Sequence, residues 1–238
     1  MFKDFSLIVP VYNEEDNIIP LFEKVDDMAK KASLEYEIVF VDDGSSDRSR
    51  EIVDELVDKY NGVRKIYFTQ NNGQSAAIAA GIRAASKSAI VTIDADLQND
   101  PYDIPSFLKE LENFDVVCGY RKKRQDNLIR QISSRVANRV RNFFTQDNLR
   151  DIGCALRAYR ADSGVKDIYF FNGIHRFIPA IMLFEGKSIT EIPTNHHPRI
   201  HGESKYTLFN RLFKVIYDLF GVQWMKSRYI NYKIKEEA

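Results

Sequence analysis

The first part of the chain alternates short apolar runs with segments of helical periodicity. Residues 5–11 and 38–41 are apolar runs that end in polar residues, and between them apolar side chains recur at helical spacing over 18–29. Short, nearly continuous apolar runs are typical of strands that are buried on both faces of a parallel sheet. The pattern therefore predicts a strand, a helix and a second, parallel strand.

The same alternation continues to about residue 118. It predicts helices at 52–60, 75–85 and 104–111, and strands at 63–68, 89–93 and 114–118. Such alternation predicts an open, mostly parallel α/β sheet with helices on both faces. Beyond residue 120 the alternation stops. We expect a basic helix over 128–144, a mixed stretch and an apolar helix over 208–225, all as appendages of one domain.

Polar residues follow every predicted strand. The strand ends read Tyr12-Asn13-Glu14, Asp42-Asp43-Gly44-Ser45, Asn71-Asn72-Gly73-Gln74, Asp94-Ala95-Asp96 and Gly119-Tyr120-Arg121. Open α/β sheets bind their ligands outside the carboxyl ends of the strands. We therefore expect these carboxylates and amides to converge on one ligand site.

Asp94 and Asp96 suggest a metal site at one of these strand ends. Two carboxylates one residue apart can turn toward the same hard cation, and Gln98 can add a carbonyl oxygen. Such oxygen ligands suit Mg²⁺ or Mn²⁺. An isolated Asp-x-Asp is more often a turn and helix N-cap, but the four other polar strand ends favour the metal. The chain has no glycine-rich phosphate-binding motif, which also favours a metal as the phosphate ligand.

Asp42 is a second candidate ligand residue. A carboxylate at this strand end can accept hydrogen bonds from a nucleobase imide or a ribose hydroxyl. The alternative is a glycine turn at Gly44, followed by Ser46 or Asp47 as a helix N-cap. The two interpretations are compatible with each other.

The formal charge is zero, but the charges are unevenly distributed. Residues 1–120 contain 12 Lys/Arg and 23 Asp/Glu, and residues 121–238 contain 22 and 11. The basic half indicates an anionic partner. We expect no nucleic-acid partner, because no RNA- or DNA-binding motif accompanies the charge and the strand-end carboxylates repel a phosphate backbone. An amphipathic C-terminal helix suits an anionic membrane surface, although it also suits a dimer interface or the core.

The remaining sequence features bear on the cellular location of the protein. Cys118 and Cys154 have no disulfide or metal-binding spacing, and the four histidines fit loop positions better than a zinc site. No secretory signal is visible, and the apolar runs are too short to cross a bilayer. We expect a cytoplasmic protein that binds peripherally to the cytoplasmic face of the inner membrane, and a homo-oligomer is possible.

Several motifs resemble the inverting family 2 glycosyltransferases. They are Ser6-Leu-Ile-Val-Pro-Val-Tyr-Asn-Glu-Glu15, Val41-Asp-Asp-Gly-Ser-Ser-Asp47, Asn72-Gly-Gln74, Asp94-Ala-Asp-Leu-Gln98 and Arg199-Ile-His-Gly-Glu-Ser-Lys-Tyr206. The resemblance covers essentially the whole chain. It is greatest to the polyprenyl-phosphate group, which includes the dolichol-phosphate mannose synthases. Within that group, the stretches at 124–128, 153–160 and 189–193 are similar to the undecaprenyl-phosphate formamido-arabinose transferases.

The resemblance implies a GT-A fold and a role for each matching residue. The nucleotide sugar would contact Pro10, Tyr12, Glu14, Asp42, Gln74, Asp94 and Ala95, and the divalent ion would bind Asp94, Asp96 and Gln98. The acceptor phosphate would contact Arg121, Arg130, Ser134, Arg199, Ser204 and Lys205. Asp96, Arg121 and Asp151 would be the catalytic residues, with Asp151 orienting the sugar first and acting as a base second.

The expected function is metal-dependent, inverting transfer of a sugar to a polyprenyl phosphate for cell-envelope glycan synthesis or lipid A modification. A UDP-sugar is the favoured donor. The alternatives are a GDP-mannose donor, a hydroxyl acceptor, or a non-catalytic scaffold at the membrane surface. We expect residues 1–205 to form the catalytic domain and residues 206–238 a basic, membrane-proximal helix and tail.

Overall fold

The computed structural model describes residues 2–121, 142, 145, 147–198 and 208–230, and only the backbone of residues 208–216. Apart from Asn142, the predicted basic helix over 128–144 lies outside the described residues.

The alternation of strands and helices up to residue 121 is confirmed. The elements are β1 (Asp4–Val11), α1 (Glu15–Ala32), β2 (Glu35–Asp42), α2 (Ser49–Lys59), β3 (Val63–Tyr67), α3 (Gln74–Ala84), β4 (Ala89–Thr92), α4 (Ile104–Glu110) and β5 (Val116–Arg121). They are followed by β6 (Arg157–Arg160), α5 (Ile178–Phe184), β7 (Ile189–Thr194) and α6 (Leu208–Arg228).

Seven strands form one sheet in the order β3-β2-β1-β4-β6-β5-β7. All neighbouring strands are parallel except β6, which runs antiparallel to both β4 and β5. The chain order reverses between β1 and β4. In open α/β sheets such a reversal leaves a crevice at the carboxyl ends of the strands, where ligands bind.

The prediction that everything beyond residue 120 is an appendage is wrong for β6 and β7. Both are strands of the main sheet. Because β6 is antiparallel, its first residue, Arg157, pairs with Thr92 at the carboxyl end of β4 and with Cys118 in the middle of β5. The segment that leads into β6 is thereby brought to the ligand edge of the sheet, which we call the carboxyl edge.

Alternate side chains of the central strands enter two hydrophobic cores, one on each face of the sheet. In β1, Leu7 packs in the core beneath α1 and α4, whereas Ile8 packs in the core with α3 and α5. Both side chains are fully buried, and burying a side chain of this size contributes about 1.5–3 kcal/mol. The two cores fix the strands rigidly beneath the loops of the carboxyl edge.

The side chains of α6 that the structure describes, over residues 217–228, are unevenly buried. Leu219 and Val222 are buried against Phe177, while the aromatic side chains on the other side of the helix are exposed. Within the described part of the chain, no helix has the length and hydropathy needed to cross a membrane.

Candidate active site

The loops after β1 and β2 are joined by hydrogen bonds between backbone and side chains. Asn13 adopts a left-handed conformation; its N–H donates to Ser45 Oγ at 2.9 Å, and its Oδ1 accepts from Ser46 N at 2.8 Å. The N–H of Glu14 donates to Ser49 Oγ at 2.9 Å. These bonds hold the two strand ends together as one platform.

Asp42 lies fully buried on this platform. Its Oδ1 accepts hydrogen bonds from Gly44 N at 3.2 Å, Ser45 N at 3.1 Å and Arg50 Nε at 2.6 Å. Its Oδ2 has no hydrogen-bond partner among the described residues. A buried acceptor without a donor costs about 1–3 kcal/mol, so this oxygen is suited to a ligand N–H or O–H. The contact with Arg50 was not predicted from the sequence.

Asp43 connects the second loop to the third. Its two carboxylate oxygens accept from Asn72 N at 2.6 Å and Gly73 N at 2.8 Å. Burial raises the pKa of Asp43 although these two bonds act in the opposite direction. Gly44 makes the close approach possible, because a Cβ at this position would lie 2.6 Å from the carbonyl carbon of Gln70.

Asp94 and Asp96 follow β4 at the same edge. Gln74 Nε2 donates to Asp94 Oδ1 at 2.7 Å, and Gln98 N donates to Asp96 Oδ1 at 3.2 Å. Burial, together with the neighbouring charge of Asp96, raises the pKa of Asp94 to about 7. Between the two carboxylates and Gln98, Leu97 has a positive φ of 59°, a strained conformation that is concentrated at functional sites.

The donor set around Asp94 fits a divalent cation. Asp94 is half-buried and Asp96 is buried, and two neighbouring carboxylates that repel each other are stabilised by a shared positive charge. The described residues contain no cluster of three or more His, Cys, Asp or Glu side chains that could hold a metal. Mg²⁺ and Mn²⁺ suit so few protein ligands, because they retain waters and bind substrate phosphates.

Arg121 and Asp151 form a two-pronged ion pair at the end of β5. Arg121 Nε lies 2.6 Å from Asp151 Oδ2, and Arg121 Nη2 lies 2.8 Å from Asp151 Oδ1. Asp151 also accepts from Gly153 N at 3.2 Å. A Cβ at Gly153 would lie 2.9 Å from Arg121 Nη2, so the missing side chain leaves room for the guanidinium. The pair fixes the position of a cation at the end of β5.

His196 is a site residue that the sequence analysis did not assign. It follows β7 and forms a β-bridge with Asn99, just after the carboxylate pair. Burial and the Arg121 cation lower its pKa, although Asp96 and Asp151 act in the opposite direction. Its Nδ1 is buried and has no hydrogen-bond partner among the described residues. Because β7 was not predicted, this histidine could not be placed at the site from local sequence.

The other predicted site residues are only partly described. Pro10 pairs with Val41 near the end of β1, and Tyr12 lies partly exposed beyond it. Glu14 Oε2 accepts from Asn17 Nδ2 at 2.6 Å, and Ala95 is buried. Five predicted acceptor residues lie outside the described residues: Arg130, Ser134, Arg199, Ser204 and Lys205.

The fold is that of the GT-A glycosyltransferases. Glucosyl-3-phosphoglycerate synthase from Mycobacterium tuberculosis, in complex with Mn²⁺, uridine diphosphate and phosphoglyceric acid, superimposes with a TM-score of 0.68. The sequence identity is 15%, and the match covers 96% of this chain and 80% of that one. The complex of the same enzyme with Mg²⁺ and uridine diphosphate gives a TM-score of 0.66 at 14% identity, covering 96% of this chain and 81% of that one.

The chain belongs to glycosyl transferase family 2, whose family model matches residues 6–164. It is 39% identical to the dodecaprenyl-phosphate galacturonate synthase of Rhizobium johnstonii, covering 98% of this chain and 69% of that protein. It is 38% identical to the undecaprenyl-phosphate 4-deoxy-4-formamido-L-arabinose transferase of Edwardsiella ictaluri, covering 90% of this chain and 66% of that protein. The chain thus spans about two thirds of the length of these relatives.

Proposed function

We propose that this glycosyltransferase moves a sugar from a nucleotide diphosphate, favouring UDP, to a polyprenyl phosphate. The observation that carries the proposal is the arrangement of the carboxyl edge. Hydrogen bonds connect the loops from Asp42 to Asp94, and the Arg121 cation acts on His196 together with the charges of Asp96 and Asp151. This edge offers an acceptor for a nucleoside, a metal site for a diphosphate and a cation for a second phosphate.

On the donor side, Asp42 Oδ2, which has no partner among the described residues, accepts a hydrogen bond from the base imide or from a ribose hydroxyl. Asp94 and Asp96, with Gln98, would hold Mg²⁺ or Mn²⁺. The ion would supply positive charge that stabilises the departing nucleoside diphosphate. Gln74 fixes the orientation of Asp94 through its 2.7 Å hydrogen bond.

On the acceptor side, Arg121 binds the phosphate of the lipid. In the proposed reaction an oxygen of this phosphate attacks the anomeric carbon as the bond to the nucleoside diphosphate breaks, with inversion of configuration. A phosphate monoester is largely dianionic at neutral pH, so the attack requires no proton transfer. Asp151 accordingly acts by orienting Arg121, because both of its oxygens accept from the guanidinium.

The exposed side of α6 supports a membrane-bound acceptor. Tyr217, Phe220 and Trp224 are 80%, 59% and 64% exposed, and Lys226 and Arg228 follow them. Aromatic side chains beside basic ones suit the headgroup region of an anionic leaflet. We propose that α6 lies on the cytoplasmic face of the membrane, where nucleotide sugars are available.

Transfer of radiolabelled sugar to undecaprenyl phosphate in detergent tests this function. UDP- and GDP-sugars are offered with Mg²⁺, with Mn²⁺ and with EDTA. We expect a labelled, organic-soluble product that needs the metal and forms with UDP-sugars. Formation of product only with GDP-mannose would show that the donor is GDP-mannose and not a UDP-sugar. Binding of nucleotide with metal, but no labelling of lipid by any donor, would overturn the acceptor assignment. The names of the relatives include both galacturonate and formamido-arabinose, so they leave the sugar open.

A further inference from the structure

A small cavity adjoins Asp94 on the side of the sheet covered by α3 and α5. Its volume is about 80 Å³. Its polar lining includes Gln74, Asp94, Arg157, Tyr159, His175 and Arg176. Since a liquid water occupies roughly 30 Å³, the cavity has room for an exocyclic group of a sugar and a water molecule.

Arg157 is a buried cation in the wall of this cavity. Its side chain is only 6% exposed. Nη1 donates to the backbone oxygen of His175, and Nη2 donates to that of Ile152 at 2.6 Å. Within the described part of the chain it forms no ion pair with a carboxylate, although Asp94 is near enough for Arg157 to lower its pKa. Buried charges in proteins are normally paired, so this guanidinium favours an anion in the cavity.

Tyr159 supplies a second unmatched group. Its ring is fully buried, and its hydroxyl oxygen lies beside the Arg157 guanidinium, which can only donate to it, so the hydroxyl proton has no acceptor among the described residues. Burial raises its pKa to about 12, and Arg157 offsets only part of that rise. The hydroxyl is therefore protonated at neutral pH and can donate a hydrogen bond.

His175 is oriented by Ser75. Gly173 N donates to Ser75 Oγ at 2.9 Å, and Ser75 Oγ lies 2.7 Å from His175 Nδ1. If the hydroxyl proton of Ser75 is donated to Nδ1, a neutral His175 has its own proton on Nε2. Among the described residues that line the cavity, Asp94 is the one carboxylate, whereas Gln74, Arg157, Arg176 and Tyr159 can all donate.

We propose that this cavity receives a carboxylate of the donor sugar, so that the enzyme prefers a uronic acid donor. The inference rests on the proposed function, which places the sugar beside Asp94. A sugar carboxylate would give Arg157 the counter-ion that the described residues do not supply, and Arg176 adds a second positive charge. A neutral hydroxymethyl group would leave the buried cation unpaired. The free-energy cost of that unpaired charge would make the enzyme discriminate against neutral donor sugars.

The test compares UDP-galacturonate with UDP-galactose, which differ only at carbon 6. Donor binding is measured by calorimetry with Mn²⁺, and transfer to undecaprenyl phosphate is measured in parallel. We expect at least a tenfold preference for the uronate in both measurements. Arg176→Gln should reduce this preference several-fold and leave the affinity for UDP alone unchanged. Tyr159→Phe, which removes one oxygen from a buried ring, should also reduce it.

Arg160→Gln is the matched control. Arg160 lies in the same strand as Arg157 but pairs with Asp162 at the surface, 2.9 Å away, so its loss should not alter the donor preference. Equal binding of the two donors, or a preference for galactose, would overturn the inference and leave the proposed function intact. If no donor labels the lipid, the proposed function fails, and the binding preference still decides whether the cavity takes a carboxylate.

Discussion

Asp42 and Asp43 are buried and Asp94 is half-buried at one edge of the sheet, and the neighbours of these three carboxylates give them different roles. Asp43 uses both oxygens to hold the loop after β3. Asp42 retains one oxygen without a described partner, and Asp94 lies beside the like charge of Asp96. Residue type and spacing identified all three as polar strand-end residues. Only the contacts separate the structural carboxylate from the two that are available to a ligand.

The first prediction contrasts two of these carboxylates. Asp94→Asn should lower sugar transfer by about 100-fold or more, because it removes charge from the metal site, and should not lower the melting temperature. Asp43→Asn should lower the melting temperature by several degrees, because the amide loses one of the two acceptor oxygens. Transfer rates and thermal unfolding of both variants check this. Full activity of Asp94→Asn would contradict the metal assignment.

The second prediction concerns the Arg121–Asp151 pair. Asp151→Asn should raise the KM for the lipid phosphate by about tenfold or more, because the amide cannot hold the guanidinium through two acceptor oxygens. The affinity for the nucleotide should remain the same. Steady-state kinetics with varied lipid, combined with UDP binding, separate the two effects. A loss of kcat with unchanged KM and a new dependence on pH would instead make Asp151 a general base.

Glu37 of β2 connects several elements at the edge of the sheet opposite the carboxyl edge. Its carboxylate accepts from Ser6 of β1 at 2.5 Å, Arg64 of β3 at 2.8 Å and the backbone N–H of Ser86 at 2.6 Å. Burial opposes ionisation of Glu37, but these hydrogen bonds outweigh it and lower its pKa to about 2. One side chain of β2 thus connects the two neighbouring strands and the loop that precedes β4.

This gives the third prediction, which concerns stability and pH. A carboxylate with a lowered pKa in the folded state stabilises that state above the unfolded pKa, near 4.5, and the effect disappears as the pH falls toward 2. Glu37→Gln should therefore cost on the order of 2–3 kcal/mol at pH 7 and much less near pH 2. Denaturant unfolding of both proteins at several pH values measures the difference. A constant difference across this range would contradict the assigned cause.

The elements predicted from the sequence are those with a strong local pattern. Strands β1 to β5 contain apolar runs and the helices between them contain helical periodicities, and both patterns are visible in the local sequence. Strand β6 has four residues with arginines at both ends. Strand β7 lies at the edge of the sheet, is mostly half-buried and contains Glu191 and Pro193. Their strand character comes from pairing with distant segments. The neighbourhoods of His196 and Arg157 depend on that pairing and could not be read from local sequence.

At the scale of the whole molecule, the chain divides its charges between the two sides of the proposed reaction. The acidic first half of the chain supplies the strand-end carboxylates. The later segments supply Arg121, Arg157 and the aromatic side chains of α6. Under the proposed function this division suits a soluble donor and a membrane-embedded acceptor, because the two substrates would approach from different phases.

The fourth prediction tests this arrangement. Replacing Phe220 and Trp224 by Ser should weaken binding to vesicles of anionic phospholipid by about tenfold or more, because the aromatic rings enter the headgroup region. Tyr169→Ser is the control, since Tyr169 is 78% exposed but is not part of α6. Vesicle co-sedimentation at low and high salt measures both variants. If vesicle binding is unchanged and a dimer dissociates instead, α6 is a protein interface.

The most direct test of the central claim compares undecaprenyl phosphate with undecaprenol as acceptors, using the labelled donor that the enzyme accepts. We expect transfer to the phosphate, with inverted configuration at the anomeric carbon, and no measurable transfer to the alcohol. Arg121→Ala should abolish transfer to the phosphate while the nucleotide still binds. Comparable transfer to undecaprenol, or undiminished transfer by Arg121→Ala, would contradict the claim that this site binds a lipid phosphate as its nucleophile.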